Sequence, residues 1–328
     1  LGYNNSILQI HAAGLELQLK LCLFNVENFF LLDGTNAVGF KKPVEKIEWI
    51  ARTIKEIDAD ITMMCEVGGL ESLDLFNAKY LNSEYSTRLI KGNSNRGIEM
   101  GYLIKNDFDY QTLHISHADD SIEFNYHFEI MANKNLAPID QHPPHKFSRD
   151  ISELRILKDD KVEVIILLVH LKSKWDRDGV DFNGNERRKA ELKALVKTYN
   201  RLRAEFNYLV PVIVAGDLNG SAQRGFEEPE FEDLYASTDL EDILEVIQEP
   251  LESRFTFFYF SKENKREAHQ LDYILLPPEL QALVKKEDSG IYLFRDSHNM
   301  PLPYPKENYQ RYALPSDHYP VVATLDFL

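Results

Sequence analysis

The sequence predicts an α/β fold of two packed, mostly antiparallel sheets with helices on their outer faces. Three observations point to it. Apolar runs of strand length outnumber helical repeats. Neighbouring runs pair as hairpins, most clearly across the polar turn Lys158-Asp159-Asp160-Lys161. Helices follow strands early, strands dominate the middle and the remainder is mixed, whereas a doubly wound parallel sheet would alternate throughout.

The elements follow in chain order. A first strand covers 19–26. The helix over 43–57 has Pro43 in its first turn and Val44, Ile47, Ile50, Ala51 and Ile54 at helical spacing. A strand follows at 60–66, then a weaker helix at 70–81. Strands at 85–90, 98–105 and 110–116 come next. The segment 107–150 carries His114, His117, His127, His142 and His145 with Pro143-Pro144, in no compact metal spacing. It reads as a loop-rich insertion shaping a substrate groove. Strands at 152–158 and 162–170 lead to a helix over 186–206, with Ala190, Leu192, Leu195, Val196, Tyr199 and Leu202 in helical repeat. A strand at 210–215 precedes the aromatic set Phe255, Phe257, Phe258, Tyr259 and Phe260, read as strand core with a ring or two left to stack on a base. After a strand at 271–276, the proline-bearing stretch 289–315 is a long excursion beside the closing strand, 319–326. Loops of that length are often functional.

Composition sets the outer bounds. With 328 residues and 44% hydrophobic content the chain can bury a sizeable core. It has no repeat, low-complexity tract or linker, so one domain is expected over 19–328 after an N-terminal extension, 1–18. The formal charge of −16 argues against tight non-specific binding of duplex nucleic acid by the surface as a whole. A nuclease stays open, because a divalent metal supplies positive charge locally. Cys22 and Cys65 lie inside apolar runs and read as small buried hydrophobes, not as a disulfide or zinc site. The longest apolar run, 162–169, is far short of the roughly 20 residues that cross a bilayer. The chain starts at Leu1 and not Met, which is consistent with removal of an upstream segment, so a soluble protein in the cytoplasm and a secreted one both stay open. A monomer is expected.

The chemistry collects at strand ends. Asp217 and Asn219 follow the apolar run 209–214, Asn25, Glu27 and Asn28 follow Leu21-Cys22-Leu23, Glu66 ends 61–65, and His170 ends 164–169. A strand apolar on both faces should end in a plain turn unless its polar groups are gathered at one rim. Period-2 alternation puts Asn25 and Glu27 on one face, where they hold a magnesium ion or cap a turn. Glu66 is either a solvated strand end or a hard-cation ligand. Asp272 heads an apolar strand and is a suitable orienting partner for an imidazole, while His318 enters another strand directly after Asp317. His170 leads into Lys172 and Lys174, cations suited to a phosphate.

The motifs Asn25-Val26-Glu27-Asn28-Phe29-Phe30, Cys65-Glu66, Arg96-Gly97-Ile98, His170-Leu171-Lys172-Ser173-Lys174, Gly216-Asp217-Leu218-Asn219, Leu271-Asp272-Tyr273-Ile274-Leu275 and Ser316-Asp317-His318 occur in this order. Together they resemble the successive motifs of the endonuclease/exonuclease/phosphatase superfamily, over residues 19 to 328, with a bacterial nuclease-like branch the closest in pattern. The resemblance implies a four-layer α/β/β/α sandwich and Mg²⁺-dependent hydrolysis of phosphoesters, with Mn²⁺ as a substitute. It implies that Glu66 is the principal metal ligand, with Asn25 nearby, Glu27 in or next to the ion's coordination shell, and Asp317 either a ligand of a second metal or an orienting group. Asp217 would orient or deprotonate the attacking water and Asn219 would help hold the scissile phosphate. His318, steadied by Asp272, would stabilise developing charge or protonate the leaving oxygen, and His170 would bind a phosphate oxygen. Lys172, Arg149, Arg187 and Arg188 are the candidate substrate contacts, although a solvated helix start competes for the last two.

Three functions compete. The first is a metal-dependent phosphodiesterase acting on DNA or RNA, with Lys172, Lys174, Arg177, Arg187, Arg188 and Arg224 as a basic rim. The second is a phosphatase or phosphodiesterase on a small or lipid phosphoester (inositol phosphate, nucleotide, phospholipid head group), which the acidic balance favours because a small substrate needs only a local basic pocket. A lipid enzyme would show an exposed apolar hairpin, and the sequence reveals none. The third is a silent binding protein that keeps the fold, disfavoured because every site position carries a competent residue.

Overall fold

A computed structural model describes residues 17–32, 41–134, 136–175 and 179–327. The expected extension 1–18 lies outside them except for its last two residues. In chain order the strands are β1 (Leu17–Phe29), β2 (Ile61–Val67), β3 (Tyr85–Leu89), β4 (Glu99–Lys105), β5 (Gln111–Ser116), β6 (Ile151–Lys158), β7 (Lys161–His170), β8 (Val212–Asp217), β9 (Glu241–Asp242), β10 (Phe257–Phe260), β11 (Arg266–His269), β12 (Asp272–Leu276), β13 (Gly290–Ile291) and β14 (Val321–Phe327). The longer helices are α1 (Val44–Ile57), α2 (Leu70–Tyr80), α3 (His127–Asn133) and α4 (Asn185–Glu205).

Two six-stranded sheets form, in the orders β13-β14-β1-β2-β4-β3 and β5-β6-β7-β8-β12-β9. Each has one parallel pair, β1 with β2 and β7 with β8, and is otherwise antiparallel. The side-chain alternation of a strand explains the layers. In β1, Leu19, Leu21 and Leu23 meet Leu154, Ile166, Leu168 and Ile274 between the sheets. Cys22 and Phe24 on the other face pack under Ile47, Ile50 and Ile54 of α1. In β7, Ile166 and Leu168 face the partner sheet while Ile165, Leu167 and Val169 lie under Leu192, Leu195 and Tyr199 of α4. Strands apolar on both faces are what a helix–sheet–sheet–helix stack requires. Cys22 and Cys65 are free and buried, on opposite sides of the first sheet.

The topology also creates a rim. Parallel pairing brings the C-terminal ends of β1 and β2 together, and likewise those of β7 and β8. Because β14 runs antiparallel to β1, and β12 antiparallel to β8, their first residues fall at the same edge. β4 and β6 begin there as well, by antiparallel pairing with β2 and β7. Both sheets therefore deliver their strand-end polar residues to one side of the sandwich.

The insertion is shorter than expected: β5 belongs to the second sheet, so the excursion runs from 117 to 150. Its two ends are tied together by Asn93, whose Nδ2 donates to Ala118 O (2.6 Å) and Phe147 O (3.1 Å). Two of its four histidines are tied to acids: His117 bridges Glu153 (2.8 Å) and Asp120 (2.9 Å), and His145 contacts Glu129 (2.8 Å). Among the described residues no helix is long and apolar enough to cross a membrane.

Candidate active site

The site begins with backbone irregularities. β1 slips register against β2 between Asn25 and Phe29, and Glu27 (φ 46°) and Asn28 (φ 47°) take the left-handed conformation. Glu66 (φ 67°) sits at the matching irregularity between β2 and β4, and Asn219 (φ 55°) follows β8. Left-handed non-glycine residues are costly, and four of them at one rim mark a place where geometry is held against local preference. Gly216 (φ 151°) has a different task. A Cβ there would lie 1.9 Å from Val169 O, so only glycine lets β8 close on β7 immediately before Asp217.

Asp217 is the hub. Its Oδ2 accepts from Asn25 Nδ2 (2.9 Å), a bond that crosses from one sheet to the other, and its Oδ1 accepts from Asn219 N (2.8 Å). His170 Nε2 lies 3.5 Å away and His318 Nε2 3.9 Å away. His318 Nδ1 pairs with Asp272 Oδ2 at 2.7 Å, and Phe257 covers the imidazole, ring centroids 4.8 Å apart. Asp272 N and Leu271 N both donate to Thr256 Oγ1, and Ser316 Oγ donates to Asn25 O, tying the last strand to the first. The Asn219 side chain donates to Leu171 O (3.0 Å), as does Arg149 Nη1 (2.9 Å).

Burial polarises these groups differently. It raises the Asp217 carboxyl, with Asp272 adding to the effect and His318 opposing it, to about 7. Burial alone would depress the His318 imidazolium, but Asp272, Asp217 and the Asp272 hydrogen bond reverse this and hold it well above its ordinary value. His170 has no such acid pair. Burial, helped by the positive charges of Arg149, His318 and Arg96, holds it well below its usual range, so it is neutral. At neutral pH the pocket thus holds a charged and an uncharged imidazole on either side of a carboxyl near its own titration point.

For a hard divalent cation, oxygen donors with free lone pairs are needed. Glu66 provides them: Oε2 takes the Asn28 N–H at 2.8 Å, and no described residue engages Oε1. One carboxylate beside an amide suits Mg²⁺, which keeps much of its water. Asp217, Asp272 and His318 also present atoms within 4.8 Å of one another. A cation among them would have to displace the proton shared by His318 and Asp272, and a protonated imidazole is no ligand. Glu66, with Asn25 beside its strand, is the better-fitting donor set.

Two expected ligands carry cationic partners of their own, and one of them, Asp317, also sets Oδ1 4.0 Å from His318 Nε2. The left-handed turn at Glu27 breaks the alternation that would have set it on the Asn25 face. Its carboxylate instead meets Arg311 (3.3 Å), Lys42 (3.8 Å) and Lys46 (3.9 Å). Asp317 also pairs with Arg311 (2.5 Å). Arg311, delivered by a short helix of the 289–315 excursion (Asn308–Ala313), thus bridges the two acids. Among the phosphate candidates, Arg188 is fully buried on Glu230 and the carbonyls of Lys172 and Asn183, because α4 docks through it. Arg187 caps Lys146 O and nears Glu191. Of the proposed rim, Lys174 pairs with Glu228 and Arg224 leans on Tyr235 and Glu245, while Arg177 lies outside the described residues. Arg149 and Lys172 do reach the site edge, joined by Arg96, whose Nη2 donates to Asn28 Oδ1 (2.5 Å). Arg96 was visible in the sequence only as part of a motif. Lys42 and Arg311 carried no sequence signal, since each is recruited by a turn or excursion whose path the pattern does not fix.

No family model matches the chain, and no curated protein matches it. Solved structures do. A truncated TDP2 from Caenorhabditis elegans shares 18% identity over 94% of this chain and 98% of its own, at a TM-score of 0.57. TDP2 from D. rerio, in complex with a single-strand DNA product, gives 12%, 94%, 98% and 0.57. An endonuclease/exonuclease/phosphatase family protein from Bacteroides thetaiotaomicron gives 16%, 94%, 97% and 0.52. Animal and bacterial proteins appear together, so no branch is singled out. The likeness runs through both sheets and nearly the whole length of each neighbour, and the chain has the fold of the endonuclease/exonuclease/phosphatase superfamily.

Proposed function

We propose that residues 19–328 form one catalytic unit that hydrolyses phosphodiester bonds with Mg²⁺, and that its substrate is nucleic acid. The observation that carries this is the buried Asp217, bonded across the sheets to Asn25, with His170 Nε2 at 3.5 Å and the Asp272-held His318 Nε2 at 3.9 Å. An acid near its titration point suits proton removal from water, and a fixed imidazolium suits charge that grows on phosphate oxygens. The fold's neighbours, one of them holding single-stranded DNA, support the same class of reaction.

A divalent ion held by Glu66 and Asn25 would supply electrostatic stabilisation of the phosphate. The chain's own residues do the rest. Asp217, oriented by Asn25 and the Asn219 amide, takes a proton from the attacking water. The water oxygen bonds to phosphorus as the bond to the leaving alcohol breaks. His318 gives its Nε2 proton to that leaving oxygen while Asp272 holds the ring by Nδ1. His170 donates to a non-bridging oxygen, and Asn219 has a second amide proton for the same group.

A small or lipid phosphoester is the second reading, favoured by the overall −16 charge. The test is hydrolysis of single-stranded DNA, duplex DNA, RNA and bis-p-nitrophenyl phosphate with Mg²⁺, Mn²⁺ or EDTA. Metal-dependent cleavage of a polymer, lost in Asp217→Asn and lowered on the order of 10²-fold or more in His318→Ala, is the expected result. Cleavage of the model diester alone would shift the substrate to the small ester, and activity retained by Asp217→Asn would overturn the mechanism.

A further inference from the structure

Beside the catalytic cluster lies a groove of about 810 Å³, lined by the cations Arg96, Arg149 and Lys172 and by the aromatic side chains Tyr126, Phe128 and Trp175. We infer that this groove is a subsite for unstacked nucleotides of a single-stranded polynucleotide, an inference that rests on the nuclease reading above.

The argument starts from charge. Arg96 contacts the Asn28 side-chain oxygen, Arg149 the Leu171 carbonyl, and Lys172 the carbonyls of Ser173 and Trp175. All these acceptors are neutral, and among the described residues no carboxylate lies within ion-pair distance of the three cations. Glu129 and Asp181 line the groove too, but Lys146 and Arg187 join the three cations there, so on a chain of net charge −16 the lining is a local excess of positive charge, and it is continuous with the site, since Arg149 and Asn219 donate to the same Leu171 carbonyl. Backbone phosphates match it.

The same lining carries aromatic surface open to solvent. Phe128 is 57% exposed and Trp175 65% exposed. Tyr126 stacks on Phe128 with 8° between planes and centroids 5.9 Å apart, so the exposed Phe128 ring is backed by a neighbour. No residue of α3 is buried, so the helix adds nothing to the core. The Asn93 bonds tie the two ends of the insertion together, and Lys172 Nζ holds the Trp175 carbonyl, so a cation and an exposed indole are kept side by side. Cations beside aromatic rings form the usual platform for a single strand, where phosphates track the charge and bases stack. A duplex keeps its bases stacked on each other and offers no ring to these faces.

The chain has two tryptophans, so Trp49→Phe leaves Trp175 as the sole indole. Trp49 packs on Phe294, away from the groove. In a Trp49→Phe, Asp217→Asn protein, a single-stranded DNA oligonucleotide should quench Trp175 fluorescence, and the matching duplex should need at least ten-fold higher concentration. In the active protein, Trp175→Ala should lower the ratio of kcat/KM on the oligonucleotide to that on bis-p-nitrophenyl phosphate by about ten-fold or more, the scale of one lost base stack. No quenching, or an unchanged ratio while the oligonucleotide is still cleaved, overturns the subsite and leaves the nuclease reading intact. If phosphatidylcholine vesicles and not the oligonucleotide shift the Trp175 emission, the groove meets a membrane surface and the inference also fails. Quenching is read without turnover, so it decides the matter even if the activity assay goes against a nuclease.

Discussion

At the scale of the residue, Asp217 joins reactivity to instability. Its carboxyl would ionise near 4 in the unfolded chain and is pushed up to about 7 in the fold, chiefly by burial. The folded state therefore binds this proton more tightly than the unfolded one does. The contribution to stability is full below the unfolded value and is lost as pH rises through about 7. Replacing Asp217 by Asn removes the ionisation but also one of the two acceptors used by Asn25 and Asn219. The Tm gap between wild type and Asp217→Asn should accordingly be larger at pH 5 than at pH 8, and turnover should be abolished at both. A gap that widens toward pH 8 would show a carboxylate content to be ionised in the fold, unlike a base held near neutrality. The sequence placed Asp217, His170, Asp272 and His318 at strand ends. It did not show which imidazole is charged, because that depends on Asp272 facing one ring and Arg149 standing near the other.

At the scale of the element, legibility ends where strands stop being regular. Expected strand bounds agree with the observed ones to within a few residues, because the central strands, such as β2, β7 and β8, are apolar on both faces and the period is simple. Period-2 alternation puts Glu27 on the Asn25 face, and the register shift after Asn25 interrupts that alternation. The bulge with two left-handed residues turned Glu27 to Lys42, Lys46 and Arg311. Two carboxylates once grouped as ligands are thereby separated by experiment. Glu66→Gln should raise the Mg²⁺ concentration for half-maximal rate by ten-fold or more, while Glu27→Gln should leave it within about two-fold, both read from metal titrations of initial rate. Equal shifts would return Glu27 to the metal. Gly216 gives the sharper backbone test. Ala there must push Val169 O away, so β8 shifts against β7 and Asp217 leaves both His170 and Asn25. A stability loss of about 1–3 kcal/mol, the usual range for overpacking, should come with a fall in kcat much larger than that in Asp-independent substrate binding. Full activity in Gly216→Ala would mean the close approach has no part in placing the carboxyl.

At the scale of the whole molecule, the two-sheet sandwich was legible from the apolar runs, and the position of its rim followed from pairing directions alone. The electrostatic layout was not legible. A count of Lys and Arg near the motifs suggested a basic rim, but Arg188 anchors α4 from inside and Lys174 is neutralised by Glu228. Positive charge survives instead as a small patch, Arg96, Arg149 and Lys172, on a chain of −16. The two fields act over different distances. Global repulsion of a polyanion extends over a Debye length of about 30 Å at 0.01 M salt and contracts to about 10 Å at 0.1 M. Attraction by the patch operates in contact and weakens only as salt competes for the phosphates. For an oligonucleotide substrate at fixed free Mg²⁺, kcat/KM should therefore rise with KCl at first, pass through a maximum at intermediate ionic strength and then fall. A bis-p-nitrophenyl phosphate control, with a single charge and no chain to repel, should vary much less over the same range. A monotonic fall for the oligonucleotide from the lowest salt upward would mean that the local patch outweighs the net charge at every distance, and that the acidic surface has no part in choosing the substrate.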